Sequence, residues 1–173
     1  TNNTLGFRTS AAAAAESSAA ASSSSSSGGG GAAASTGATV TESKSQVWPS
    51  VPKDSSVTLN VNKEAVAVTA IEVSDVKSDL SNVELSVGAL SEKPSGLSDA
   101  APKVYQYLTI TKKNLDEGDA NFNIGFRVTK AWLAENSLSS ADVSLYRLKD
   151  DKWNELATSV VSSDATYVNY KAP

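Results

Sequence analysis

The stretch from Ala11 to Ala38 limits the fold most, because it contains no aromatic and no branched aliphatic residue. Its 28 residues are twelve Ala, nine Ser, five Gly, one Thr and one Glu. A stretch of this composition cannot bury a hydrophobic core of its own, and Ser/Gly-rich runs are typical of linkers. The sequence therefore predicts three parts: an N-terminal segment over residues 1–10, a linker over residues 11–46, and one globular domain over residues 47–173.

The predicted domain carries nearly all of the residues that can form a core. It contains all three Trp, all five Tyr and two of the three Phe. Hydrophobic and polar residues alternate in short runs that are separated by turn-forming residues, as in antiparallel strands. Strands are predicted at residues 56–61, 66–73, 82–87, 104–111, 122–128, 143–148, 153–156, 159–161 and 167–170.

One short helix is predicted among these strands. Thr129 is suited to cap a helix over residues 130–135, with Trp132 and Leu133 on its apolar side. Many short strands with a single helix predict an all-β fold, an antiparallel Ig-like β-sandwich. The residues expected in its core are Val83, Leu85, Val87, Leu108, Ile110, Phe122, Ile124, Phe126, Trp132 and Leu145.

The N-terminal segment also has the pattern of a strand. Leu5, Phe7 and Thr9 fall on one side at a period of two, opposite small or polar residues. A single strand of this length is not stable in water, so it needs the edge of a sheet to pair with. The 28 residues from Ala11 to Ala38 alone span up to ~90–100 Å when extended. The length of the linker therefore allows the N-terminal strand to pair either with the chain's own domain or with the domain of another copy.

Several motifs of the domain occur in an order that is specific in combination. They are VYQY from Val104, FRV from Phe126 with AWL from Ala131, SLYR from Ser144, WNEL from Trp153 and YVNY from Tyr167. In this order they resemble the PGF-pre-PGF domain of archaeal surface proteins, over about 100 of the 173 residues. The resemblance implies an extracellular protein of the cell surface with no known catalysis.

The resemblance also suggests a role for the N-terminal segment. In the family, a further strand beginning Thr-Pro-Gly-Phe-Ser follows the Tyr-rich strand, whereas here Lys171-Ala172-Pro173 follows it. The segment similar to that further strand is Thr4 to Thr9. Residues Thr4 to Ala11 are therefore expected to lie as a strand in a groove of an adjacent copy, beside the strand that ends near Tyr170. Donation of a strand to a neighbouring domain is an established way of building filaments.

The leading hypothesis is thus a subunit of an extracellular archaeal filament, a pilus or thread, that polymerises with copies of itself. Its predicted subunit interface consists of Leu5, Phe7, Thr9 and Tyr170. Two alternatives remain at this stage. One is a strand retained in its own domain, and the other is a monomeric surface module on a stalk that mediates adhesion or binds glycans.

Composition argues against most other functions. The chain has no His and no Cys, which excludes Cys nucleophiles, disulfides, Ser-His-Asp triads and the usual zinc sites. No pair of carboxylates is nominated as a catalytic pair, so no enzyme and no cofactor are expected. The formal charge of −4 makes a nucleic-acid partner unexpected, and no run of apolar residues is long enough to span a membrane.

Four local features of the sequence are candidates for a binding or modification site. Residues 116–119 (Asp-Glu-Gly-Asp) form an acidic turn for which solvation is favoured over Ca²⁺ binding, since EF-hand spacing is absent. Asp150-Asp151 is interpreted as a hairpin turn. For the three Trp, at positions 48, 132 and 153, core positions are favoured over a glycan platform. Asn2 begins an Asn-Asn-Thr sequon and is a candidate for glycosylation.

Overall fold

The computed structural model describes residues 2–9, 13–17, 38–98, 103–149 and 152–173, with strand pairing alone for the first two ranges. It confirms the predicted all-β fold. The strands are β1 (Asn2–Thr9), β2 (Ala13–Ser17), β3 (Val40–Val51), β4 (Val57–Asn60), β5 (Val68–Ser74), β6 (Leu80–Leu90), β7 (Val104–Lys113), β8 (Asn121–Thr129), β9 (Val143–Lys149), β10 (Lys152–Leu156), β11 (Ser159–Ser163) and β12 (Tyr167–Ala172). A single α-helix, α1 (Lys130–Glu135), occurs within the described ranges.

The strands form two sheets. The first sheet has the order β10-β9-β2-β1-β7-β6-β3, and β1 also pairs with β9. The second sheet has the order β11-β12-β8-β5-β4. Neighbouring strands are antiparallel except for one parallel contact between β2 and β9. The predicted sandwich is thus present, and β1 and β2 lie inside its first sheet.

The core lies between the two sheets and contains inward-facing residues of both. Eight of the ten predicted core residues are buried, among them Leu85, Phe126 and Leu145 at 0% exposure. Phe122 and Trp132 are half-buried and pack against this core. The alternation of hydrophobic and polar residues therefore gave the correct register, since a slip by one residue would have placed these side chains outside.

Strand β3 shows that the predicted start of the domain was placed too late. It begins at Val40 and pairs along its length with β6, so it crosses the boundary expected at residues 46 and 47. At an edge most of its side chains are exposed, which removes the alternation that identifies a strand. Its start lies tightly against β6, where a Cβ on Gly88 would be 2.7 Å from Cγ1 of Val40. Within the predicted linker, residues 13–17 form β2, and the remaining residues from 11 to 37 lie outside the described ranges.

Two hydrogen bonds hold β7 of the first sheet in position. The Gln106 side chain donates from Nε2 to the carbonyl oxygen of Ala65 at 2.7 Å and accepts at Oε1 from the Ala67 amide at 2.8 Å. This ties β7 of the first sheet to the segment before β5 of the second.

Helix α1 has the predicted cap, with the Thr129 hydroxyl accepting from the Trp132 amide at 3.3 Å. The Trp132 ring meets Tyr105 of β7 edge-on, with 5.1 Å between centroids.

Candidate strand-docking site

The first sheet contains one place where two strands depend on a distant part of the chain. Strand β7 pairs with β6 on one side, and β9 pairs with β10 on one side. Among the described strands, β7 and β9 do not pair with each other, and β1 lies between them. We call the position of β1 between β7 and β9 the slot. Without β1, the facing edges of both strands would present unpaired backbone groups.

Strand β1 runs antiparallel to both walls of the slot. Its first part, Asn2–Thr4, pairs with residues 111 to 109 of β7, and residues 5–9 pair with residues 147 to 143 of β9. Strand β2 folds back along residues 2–6 of β1 and touches β9 where Ala15 pairs with Leu148. The N-terminal segment is therefore an internal strand of the first sheet.

The register places the predicted apolar side of β1 opposite core residues. Phe7 pairs with Leu145 and Thr9 pairs with Val143, and both β9 residues are buried. Leu5 pairs with Arg147. Residues directly opposite each other in an antiparallel pair share a face of the sheet. The positions of Leu5, Phe7 and Thr9 thus belong to the inward face, as the alternation in the sequence predicts.

The expected neighbour of the N-terminal strand was wrong. Strand β12, which contains Tyr170, has β8 on one side and β11 on the other, so it offers no free edge to an added strand. Tyr170 is instead a core residue with 2% exposure, stacked on Phe126 at 5.1 Å between ring centroids. Its hydroxyl donates to the Ser140 carbonyl oxygen at 3.2 Å. Burial, together with the charge of Asp142, raises the pKa of Tyr170 to about 12.

One end of the slot is bridged by an ionic cluster. Glu117, in the turn between β7 and β8, accepts from Nη2 of Arg147 at 3.2 Å and from Nζ of Lys149 at 3.0 Å. Both basic residues lie on β9, so this cluster, the clasp, joins the far ends of β7 and β9 across the slot. The hydrogen bond from Lys149 and the charges of both cations lower the pKa of Glu117.

Two carboxylates of the acidic turn at residues 116–119 have partners within the protein. Glu117 is engaged by two cations, and Oδ2 of Asp119 accepts from the Asp116 amide at 2.7 Å, while Gly118 turns the chain at φ +98°. No group of three or more acidic side chains suited to a metal ion occurs in the ranges that the structure describes. The sequence favoured a solvated turn over a Ca²⁺ site; in the structure Glu117 forms ion pairs and Asp119 accepts from the backbone of the turn.

A cavity of about 460 Å³ opens between the sheets at the same end. We call it the end cavity. Its apolar floor includes Ile71, Ile110 and Ile124, and Glu117 and Arg147 of the clasp lie on its wall. Lys112 also lines it, with Nζ 5.5 Å from the centroid of the Phe122 ring. The sandwich is therefore less completely filled here than around Leu145 and Phe126.

The other sequence candidates lie apart from the slot or outside the described ranges. Trp48 is on β3, Trp132 on α1, and Trp153 on β10, where its Nε1 donates to the Ser98 carbonyl oxygen at 3.0 Å. Trp48 and Trp132 pack against the core, as favoured, and Trp153 is half-buried on β10. Asp150-Asp151 falls outside the described residues. Asn2 lies in β1 opposite Thr111, and its glycosylation stays a prediction.

Sequence reasoning missed the clasp and the slot that it bridges. Part of the signal for the clasp was present: Arg147 lies in the strand predicted over residues 143–148, and an acidic turn precedes that strand in the chain. Lys149 lies one residue beyond the predicted end, and only the observed extent of β9 places it on the same face as Arg147. Their pairing with Glu117 depends on which strands become neighbours, and that information is not local. The same is true of the slot.

No family model, no curated protein and no solved structure matches this chain. The resemblance to the PGF-pre-PGF domain therefore stays a prediction from the sequence motifs. Within the described ranges, no helix is both long enough and apolar enough to cross a membrane.

Proposed function

We propose that this protein is a structural subunit of an extracellular filament, in which β1 of one copy occupies the slot of the next. The single observation that carries the proposal is the position of β1. It is an internal strand between β7 and β9, yet in sequence it is separated from β3 by the Ala/Ser/Gly-rich tract. An internal strand on a long tether is the arrangement that strand exchange between copies requires.

The slot accepts a strand from its own chain or from another copy through the same contacts. The backbone pairs with β7 and β9 and the inward positions of Leu5, Phe7 and Thr9 are the same in both cases. The balance between a closed monomer and a polymer is then set by the tether and by the concentration of the protein. Because donation is head-to-tail, each copy offers one strand and one slot, and the chain of copies does not need to close.

The location and the non-enzymatic role belong to the same proposal. The order of the motifs from Val104 to Tyr170 supports an archaeal cell surface, through the resemblance to the PGF-pre-PGF domain. The lack of His and Cys in the sequence supports a structural role over a catalytic one. The partners are other copies of the chain, and the Asn2 sequon would carry a glycan on the filament.

Replacement of Phe7 by Asp tests the proposal. Phe7 lies opposite Leu145, which has 0% exposure, so an aspartate at this position would bring a charge to the inward face of the sheet. We expect the variant to remain soluble and to form no filaments in electron micrographs, at concentrations where the unchanged protein assembles. Light scattering after size-exclusion chromatography would report the loss of higher oligomers.

Arg8 provides a matched control in the same strand. It is one residue further along and therefore belongs to the opposite face, where it pairs with Ser144. Arg8→Asp also introduces a carboxylate and is expected to assemble as the unchanged protein does. Normal filaments from Phe7→Asp would refute the proposal, as would a protein that stays monomeric under all conditions, which is the outcome expected for a monomeric adhesion module.

A further inference from the structure

The end cavity is continuous with one half of the slot. Ile110 of its floor pairs with Asn3 of β1, and Arg147 of its wall pairs with Leu5. The cavity therefore lies along the first half of β1. The second half of β1 pairs through Phe7 and Thr9 with Leu145 and Val143, neither of which lines the cavity. The end cavity therefore lies at the end of the slot where β1 begins.

A filled slot poses a kinetic problem for any exchange of strands. If the resident β1 had to leave completely before another strand arrived, all of its backbone pairs with β7 and β9 would be broken first. Replacement residue by residue avoids this cost, but it needs a place where an incoming strand can bind while the resident strand is still in position. The end cavity is open space at one terminus of the slot.

We propose that the end cavity is the docking point at which the N-terminal segment of a second copy first binds, and from which it displaces the resident β1. This inference rests on the proposed function and adds the step by which exchange starts. The occupant is the segment beginning Thr1-Asn2-Asn3-Thr4-Leu5.

The chemistry of that segment suits the cavity. Its first five residues carry no charged side chain, and the cavity floor consists of isoleucines. Both acidic residues among the lining already have partners, because Glu117 is paired with the two cations of the clasp and Oδ2 of Asp75 accepts from the Asn121 side chain at 2.7 Å. An uncharged segment can therefore bind at the floor of the cavity without leaving a buried charge unpaired.

Filling the cavity tests the proposal in the full-length protein. Ala120 lines the cavity, is 7% exposed and precedes β8, so Ala120→Leu adds bulk there without replacing a residue of β7 or β9. Ala120→Ser keeps nearly the same volume and is the matched control. The probe is a fluorescent peptide with the sequence of residues 1–10, and its incorporation into each protein is followed by fluorescence anisotropy.

We expect Ala120→Leu to slow the incorporation of the peptide by about tenfold or more, within the range over which association rates vary among variants of one interface. Ala120→Ser should retain the rate of the unchanged protein. If Ala120→Leu does not fold, as judged by circular dichroism, Ser74→Leu fills the cavity from β5 and Ser74→Ala is its control, because Ser74 also lines the cavity.

Each outcome bears on a separate part of the argument. Equal rates for the filled and unchanged proteins would overturn the docking point while leaving strand exchange intact. Equal slowing in Ala120→Ser would also overturn it, because volume would then not be the cause. Failure of the unchanged protein to incorporate the peptide at all would overturn both this inference and the proposed function.

Discussion

Removal of the N-terminal segment should expose the slot and destabilise the domain by an amount that can be worked out from the burial of its walls. In a chain that begins at Ala38, four core side chains next to the slot lose the strand that lies between them. These are Leu108 and Ile110 on β7 and Val143 and Leu145 on β9, all at 5% exposure or less. Full exposure of such a side chain costs ~1.5–3 kcal/mol.

If each of the four becomes about half exposed, the loss is roughly 3–6 kcal/mol. That is a large share of the ~5–15 kcal/mol by which domains are usually stable. For a domain of this size, each kcal/mol shifts the melting temperature by about 2–4 °C, so we expect a decrease of roughly 10–20 °C. The two unpaired edges should also make the shortened chain associate with itself.

The assay is thermal unfolding by circular dichroism, with and without a peptide of residues 1–10. A peptide present at about one hundred times its dissociation constant stabilises the folded state by ~2.7 kcal/mol, so it should reverse about half or more of the decrease in melting temperature. A peptide with Phe7→Asp should restore none. The reasoning would be refuted if the shortened chain melted at the temperature of the full chain and stayed monomeric, because β1 would then contribute nothing to the first sheet.

Three further predictions concern single side chains. Glu117→Gln should lower the unfolding free energy at neutral pH by at most about 1 kcal/mol, since the clasp is exposed. Because the clasp lowers the folded-state pKa of Glu117, the difference from the unchanged protein should shrink as the pH falls below the ordinary value of 4.5 and vanish below the lowered pKa, in acid titrations of stability. Tyr170→Phe removes the hydrogen bond to Ser140 and should cost about 1 kcal/mol at neutral pH in urea unfolding. Because the folded-state pKa of Tyr170 is raised to about 12, the unchanged protein should lose stability between about pH 10 and 12, and the Phe variant should lack this component. Thr129→Ala removes the cap of α1 and should lower the unfolding free energy by about 1 kcal/mol, measured in the same way.

The parts of the fold that the sequence predicted are those that depend on local pattern. Strand β8 alternates strictly from Phe122 to Val128, so its extent and its buried face could both be derived before the structure was known. Helix α1 was predicted from its cap residue. Strand β3 was largely missed because most of its side chains are exposed at the edge of the first sheet, and an exposed strand carries little hydrophobic alternation.

The order of strands within a sheet, by contrast, has no local signature, and this explains the error at Tyr170. The resemblance suggested that the N-terminal segment replaces a strand next to β12, but β8 and β11 already occupy both sides of β12. The edges that β1 covers are those of β7 and β9, two strands that are separated in sequence by β8 and α1. These two strands form opposite walls of the slot, and the strand that fills the slot lies at the far end of a long linker. The fold is therefore completed by a segment that another copy can also supply. Folding and assembly then draw on the same backbone pairs, so a change in β1 that weakens one should weaken the other, whereas a change in the linker should shift only the balance between them.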